Sequence, residues 1–378
     1  MRVLQFGRFW NAQHGGLERH VALLAQGLAA QGVEVVNLVA ATGRMGSDET
    51  QGAYRLVQAP SFGMAYGTAV SPALPLKALA LHREQPFDLF HLHLPDPLSH
   101  LTSMLLPGNV PRVLSWHSDI VRQKRLLRLY QPFLSRLVRQ ADALVVATQA
   151  HFDSSTQIPD DVPLARRHVI PYGLDYTPLQ LDTRTMALRD ELRRRARGRG
   201  LVFAMGRHVY YKGFEVLIDA LVHTDAYLVL GGDGPLRAQL EQQAAAMGLS
   251  DRMFFSGRIP EEDLAAYFHA CDLFCLPSVE PSEAFGLVQL EAMACGKPVV
   301  CTQLGNGVNV VNVHGQTGFA VPVRDPVAFG QCIARLLKDD ALRHQLGAQA
   351  LRHTEQYSVP AMTASHIRLY QELLKTRR

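Results

Sequence analysis

The sequence predicts an α/β protein of two parallel-sheet domains. Short apolar runs alternate with helical ones along the chain, and the alternation breaks at an Arg-rich stretch near the middle and then restarts. At 378 residues the chain is also too long for one ordinary core. Hydrophobic residues make up 47% and charged ones 19%, a balance that suits a soluble globular protein. No run approaches the ~18 apolar residues that span a bilayer.

In the first half, "RVLQF" reads as a strand. "GGLERHVALLAQGLAAQG" then puts Leu17, Val21, Leu24 and Leu28 on one helical face and ends on Gly32. Further strands are "VEVVNLVA", "YRLVQ", "FDLFHLHL", "RVLSWH", "ALVVAT" and "HVIPYG". Such apolar strands separated by helices predict a parallel sheet covered on both faces. The stretch "LRDELRRRARGRG" interrupts this pattern, and strands "LVFAMG", "AYLVLGG", "RMFFSG" and "LFCLPS" follow with helices between them. The boundary falls near residues 173–180. A basic-ended amphipathic helix, "VPAMTASHIRLYQELLKTRR", closes the chain.

Composition excludes several function classes. A formal charge of +4 disfavours a dedicated nucleic-acid binder. Met1 leads into "VLQF" without the basic leader and long apolar block of a signal peptide. The five cysteines form no C-x-x-C pair and fit buried free thiols in a reduced cytosol, with Cys271 and Cys275 spaced to share a helix face. Sixteen histidines are scattered without H-x₃-H or H-E-x-x-H spacing, which disfavours a zinc site.

Four segments carry chemistry. "GGLERH" (Gly15–His20) joins the first strand to the first helix, where glycines admit a ligand and helix N–H groups favour an anion. It is not G-x-G-x-x-G, which argues against a nicotinamide enzyme. Read alone, it fits a plain strand–helix turn equally well. "GRHVYYKG" (Gly206–Gly213) places Arg207 and Lys212 on a loop at a strand's carboxyl end, where open α/β sheets bind ligands. A guanidinium and an ammonium suit phosphate there, although two solvated cations read as naturally. "WHSDI" sets His117 beside Asp119 at another strand terminus, as a reacting pair or as a structural histidine. In "SEAFGLVQLEAMACGKPVV" (Ser282–Val300), Glu283 precedes a helix entered through Phe285 and Gly286, with Leu287, Leu290 and Ala294 as its apolar positions. Glu291 falls roughly two turns inside that helix. Two acids flanking free helix N–H groups suit a ligand with an anionic middle and hydroxylated ends.

"GGLE", "WHSD", "IPYGLD", "GRHVYYKG", "GGDGP" and the Glu-x₇-Glu spacing occur in order over almost the whole chain. Together they resemble glycosyltransferase family 4, whose members are retaining nucleotide-sugar transferases of the GT-B fold. The resemblance implies two Rossmann-like domains facing across a cleft. One is an acceptor-side domain of residues 1–175 rejoined by a terminal helix at about 360–378, and the other a nucleotide-sugar domain of residues 176–359. It implies that Gly15 and Gly16 approach the donor and that Arg207 and Lys212 neutralise its diphosphate. Glu283 would hold sugar hydroxyls, Phe285, Gly286 and Leu287 would start the phosphate-facing helix, and Glu291 would bind the ribose. His117 would sit over the sugar near the acceptor, with Asp119 orienting the acceptor or the histidine loop. Backbone near Gly257 and Arg258 would meet the base. No D-x-D step ends a strand, so no metal or other cofactor is expected.

One segment departs from the family's common Gly-Gly-x-x-Glu step. Here the chain reads "LGNGVNVVNVHGQTGFAVP" (Leu304–Pro322), with Asn306 and Gly307 placed to line the phosphate region. This variant is similar to bacterial mannosyl- and rhamnosyltransferases of surface polysaccharide synthesis, which points to GDP-mannose or GDP-rhamnose ahead of UDP-sugars. The basic amphipathic stretch 122–140 combines Arg122, Lys124, Arg125, Arg128, Arg136 and Arg139 with Leu126, Leu127, Tyr130, Phe133 and Leu134. It suits an anionic membrane surface and a lipid-linked acceptor, or else an ordinary helix packed on its domain. The expected location is cytoplasmic, with peripheral contact at the inner face of the plasma membrane. Competing readings are a nucleotide-sugar epimerase or hydrolase of related fold, and a non-catalytic nucleotide-sugar-binding subunit.

Overall fold

The computed structural model describes residues 1–9, 16–65, 68–120 and 124–376. The chain forms two compact units, Met1–Leu174 with Gln356–Arg378, and Asp175–Glu355.

The strands of the first unit are β1 (Arg2–Phe9), β2 (Glu34–Ala40), β3 (Ser47–Gln51), β4 (Tyr54–Ala59), β5 (Met64–Ala65), β6 (Thr68–Ala69), β7 (Leu89–Leu94), β8 (Arg112–Trp116), β9 (Ala143–Val146) and β10 (Arg167–Val169). Eight of them form one sheet in the order β10-β9-β8-β7-β1-β2-β4-β3. Pairing is parallel except for β3, which runs antiparallel on the edge. The interior strands follow the apolar runs of the sequence. Strand β3, "SDETQ", and the two-residue hairpin β5–β6 were not expected, because their residues are polar or mostly exposed and carry no burial pattern. Helix Gly16–Ala30 buries Val21, Leu24 and Leu28 as its spacing predicts. The terminal helix Val359–Thr376 belongs to this unit and inserts Met362, Leu369 and Tyr370 into a core with Leu24, Leu28, Leu89 and Val113.

A polar layer lies inside that apolar packing. Tyr370 Oη is 2.7 Å from His91 Nδ1, and His91 Nε2 is 2.8 Å from Ser115 Oγ. His366 Nδ1 bonds to the Met362 carbonyl at 3.0 Å. Burial holds His91 well below the usual imidazole range and lowers His366 to about 4. His100, bonded to Tyr130 Oη at 2.8 Å, is also lowered to about 4 by burial.

The strands of the second unit are β11 (Leu201–Met205), β12 (Tyr227–Gly231), β13 (Met253–Gly257), β14 (Leu273–Leu276), β15 (Val299–Thr302) and β16 (Gly318–Val321). They form an all-parallel sheet in the order β13-β12-β11-β14-β15-β16. The Arg-rich stretch continues a helix, Thr183–Arg195, started by a capping box between Asp182 and Thr185. Arg193 grips Asp272 with two bonds of 2.8 and 2.9 Å, and the same carboxylate accepts the Leu201 amide at 2.7 Å. This pair ties the helix to the starts of β11 and β14.

The cysteine expectation needs correction. Cys271 follows helix Leu264–Ala270 and Cys275 lies within β14, so the two share no helix face. Cys271, Cys275 and Cys301 are buried free thiols, whereas Cys295 and Cys332 are only half-buried.

Imidazoles whose folded pKa lies below the unfolded value near ~6.5 bind fewer protons folded than unfolded. Their contribution to stability is therefore complete above about pH 6.5 and falls as the pH drops toward their folded pKa values. Trp116 is buried in the first unit, so its fluorescence reports the unfolding of that unit. Urea titrations should show stability falling from pH 7.5 to pH 5, with a slope of up to about 1.4 kcal/mol per pH unit for each imidazole involved. A midpoint independent of pH over that range would contradict the buried neutral layer.

Candidate functional site

In an open parallel sheet, the crevice for a ligand opens at the strand carboxyl ends where strand order reverses. In the second unit that point lies between β11 and β14, neighbours far apart in sequence. Lys212 follows β11 and Glu283 follows β14. The structure pairs them, Lys212 Nζ donating to Glu283 Oε2 at 2.5 Å, with side-chain exposures of only 12% and 11%. Ser278 Oγ donates to the same carboxylate oxygen at 2.9 Å.

Local backbone geometry holds the pair. The Val279 amide donates to the Tyr211 carbonyl at 2.8 Å, joining the two loops. Gly213 sits at φ +65°, and a Cβ there would stand 2.1 Å from the Pro277 carbonyl oxygen. Only glycine lets the loops approach this closely. Gly286, at φ +66°, turns the chain into helix Leu287–Ala294. Buried Gln289 braces this turn, donating to the Phe285 carbonyl at 2.9 Å and the Val308 carbonyl at 3.1 Å. Asn306 caps helix Gly307–Val311 by accepting the Val308 amide at 3.0 Å, and it donates to the Glu283 carbonyl at 2.8 Å.

Lys212, Glu283, Phe285, Gly286, Leu287, Asn306 and Gly307 thus belong to one hydrogen-bonded group of loops and helix starts. Arg207 is exposed on the loop that carries Lys212. Gly257 ends β13 and its carbonyl accepts the Gly232 amide at 2.7 Å, which puts it with exposed Arg258 on the same sheet edge, two strands beyond β11. The helix begins at Leu287, directly after the Phe285–Gly286 step through which the sequence entered it. Glu291 is its fifth residue, so it stands one turn inside rather than two, and Leu287 and Ala294 are half-buried while Gln289, Leu290, Ala292 and Met293 form the buried side.

In the first unit, strand order reverses between β1 and β7. Gly15 lies outside the described residues, and Gly16 opens helix Gly16–Ala30. His117, just past β8, is joined by two histidines that were assigned no role from sequence. Its Nε2 is 2.9 Å from His93 Nδ1 on β7, and its Nδ1 is 3.0 Å from Tyr172 Oη. The His20 ring packs edge-on against His93, His117 and Tyr172, with centroids 4.8–5.6 Å away. Histidines scattered in sequence therefore converge in space. "HLH" on β7 was the signal available, since alternate residues of a strand share a face. Burial lowers His117 to about 3, with neighbouring His151 and His366 adding to it, which favours the neutral ring. Asp119 accepts from Trp116 Nε1 (3.2 Å), Ser155 Oγ (2.6 Å) and the Thr156 amide (2.9 Å), which pins the histidine loop.

Residues 14–177 match the Glycosyltransferase Family 4 model, and residues 190–353 match the model for glycosyl transferases group 1. D-rhamnosyltransferase WbpZ of Pseudomonas aeruginosa is 37% identical over 265 residues, covering 70% of this chain and 68% of that one. The chain belongs to glycosyltransferase family 4. O-antigen chain mannosyltransferase C of Escherichia coli aligns over the full length of both proteins at 26% identity. Sucrose-phosphate synthase from Thermosynechococcus elongatus superposes with a TM-score of 0.77 over 99% of each chain at 23% identity, a likeness of fold. The protein is a glycosyltransferase of GT-B fold.

Within this transferase, Gly213 and Gly248 offer a controlled comparison. Both have positive φ, but a Cβ at Gly248 would meet nothing within 4 Å. Gly248→Ala should cost only the left-handed strain of about 1–2 kcal/mol. Gly213→Ala should lower the unfolding midpoint further, because it also drives a methyl into the Pro277 carbonyl. Equal losses in chemical denaturation would contradict the tight loop contact.

Proposed function

We propose that this transferase moves a hexose, with retention of configuration and without a metal ion, from a nucleotide sugar to a saccharide or lipid-linked saccharide in surface polysaccharide synthesis. GDP-mannose or GDP-rhamnose is the favoured donor, since two relatives are named as a rhamnosyltransferase and an O-antigen mannosyltransferase. The observation that carries the reading is the enclosed Lys212–Glu283 pair at the switch point of the second unit.

The pair brings cationic and hydroxyl-binding chemistry into contact. Lys212 and exposed Arg207 neutralise charge on the departing diphosphate, aided by the free N–H groups that open helix Leu287–Ala294. Glu283 accepts hydrogen bonds from the hydroxyls of the transferred sugar, and Glu291 from the ribose. Gly257 and Arg258 meet the base. As the bond from the anomeric carbon to phosphate oxygen breaks, the electron pair stays on that oxygen. The acceptor hydroxyl bonds to the anomeric carbon on the same face and gives its proton to the departing oxygen. Glu283 is engaged by Lys212 and Ser278, which fits a holding role better than a nucleophilic one. The first unit contributes His117 toward the acceptor, as a neutral group oriented by Tyr172 and His93.

Helix Lys124–Gln140 supports contact with a membrane. It buries Leu134, Leu137 and Val138 but leaves Leu126, Leu129 and Phe133 exposed at 46%, 74% and 58%, beside exposed Arg128 and Arg136. Arg122 lies outside the described residues. Apolar side chains among arginines suit the headgroup region of an anionic leaflet. Co-sedimentation with phosphatidylglycerol vesicles at low salt should drop sharply in a Leu129→Ser/Phe133→Ser variant. No binding by the parent protein would remove the membrane contact.

Thermal-shift measurements with GDP, UDP, ADP and dTDP identify the nucleotide, and GDP should stabilise most. Lys212→Ala should slow transfer on the order of 10²–10³-fold, by analogy with removal of an oxyanion donor. Near-normal turnover in a folded Lys212→Ala protein would refute the assignment. So would consumption of the donor at an undiminished rate without any acceptor.

A further inference from the structure

Three imidazoles of the first unit meet where no role in sugar transfer requires three. His20 comes from the helix after β1, His93 from β7 and His117 from the loop after β8. These elements flank the point where strand order reverses, so the sheet topology gathers residues remote in sequence. One ring nitrogen from each lies within 4.8 Å of the other two.

Hydrogen bonding leaves the cluster incomplete. His93 is 1% exposed and His20 9%, yet His93 Nε2 and His20 Nδ1 have no partner among the described residues. Leaving a buried polar atom unpaired costs about 1–3 kcal/mol. Two buried rings of the cluster thus each carry one nitrogen without a partner among the described residues, a demand that a ligand would meet. The surroundings also orient the rings as outer partners of a metal site do. Tyr172 Oη engages His117 Nδ1, which turns Nε2 toward His93. The His91 ring lies 4.5 Å behind His93 and is itself fixed by Tyr370 and Ser115.

We propose that His20, His93 and His117 bind one borderline-soft divalent transition-metal ion of the zinc class. Imidazole nitrogens suit zinc, copper and nickel, and they are poor donors for magnesium or calcium. Tetrahedral zinc with bonds of about 2.0–2.1 Å needs its nitrogens about 3.3 Å apart. The present limit of 4.8 Å therefore has to close by small ring movements, and the His93–His117 hydrogen bond opens to free a nitrogen for the ion. A small pocket lined by His20, Trp116, His117, Tyr172 and His366 adjoins the cluster.

The test uses the full-length protein after chelator treatment and gel filtration, with Zn²⁺ alone as the probe. Partly exposed Cys295 and Cys332 are first replaced by serine, so that thiolate binding cannot mimic the site. Calorimetry should give one Zn²⁺ per chain, and Zn²⁺ should raise the melting temperature. His20→Ala and His93→Gln, each checked for native circular dichroism, should weaken binding at least tenfold and abolish the shift. Co²⁺ should give the intense visible bands of a tetrahedral site in the parent protein and lose them in His93→Gln. Absence of stoichiometric Zn²⁺ binding, or binding of undiminished affinity in folded His20→Ala and His93→Gln proteins, would overturn the proposal.

Discussion

The ion pair between Lys212 and Glu283 is the constraint around which the second unit is arranged. Neither charge is stable alone at roughly nine-tenths burial, because removing one partner from a buried pair typically costs about 3–5 kcal/mol. The pair must therefore form, and much of the nearby backbone serves that end. Gly213 permits the loop contact, Ser278 fills a second site on the carboxylate, and Asn306 fastens the Glu283 backbone. In the proposed function, a ligand with an anionic part and a hydroxylated part separates this cation and acid, so that stability and recognition would draw on the same contact.

The first unit meets a different constraint. Its sheet buries His91 and His93 among apolar side chains, and the terminal helix adds Tyr370 and His366 to them. Such a layer stays apolar in charge only while its imidazoles remain neutral. The return of the chain to this unit after Gln356 therefore completes a polar network as well as an apolar core.

Much of this was legible in the sequence, for physical reasons that differ by element. Central parallel strands such as β11 and β12 are buried on both faces and read as apolar runs. The edge strand β3 was invisible, since an exposed strand has no burial pattern to betray it. Glu283, Lys212 and Asn306 were found through motif order, but their mutual bonding was not, because it depends on which strands become neighbours. The histidine cluster failed for the same reason: His20, His93 and His117 are remote in the chain, and only the strand order brings them together. The helix start at Leu287 was legible, but Glu291 was set a turn too deep, since only four residues of rise separate it from Leu287.

The central claim is that Lys212 is shared between Glu283 and the donor's diphosphate, while Glu283 itself serves the sugar. Calorimetry of nucleoside diphosphate binding to Glu283→Gln, compared with the parent protein, tests this most directly. With the competing carboxylate neutralised, the diphosphate should bind at least as tightly as before, although transfer from the full nucleotide sugar is lost. A diphosphate affinity that falls in Glu283→Gln would contradict the account.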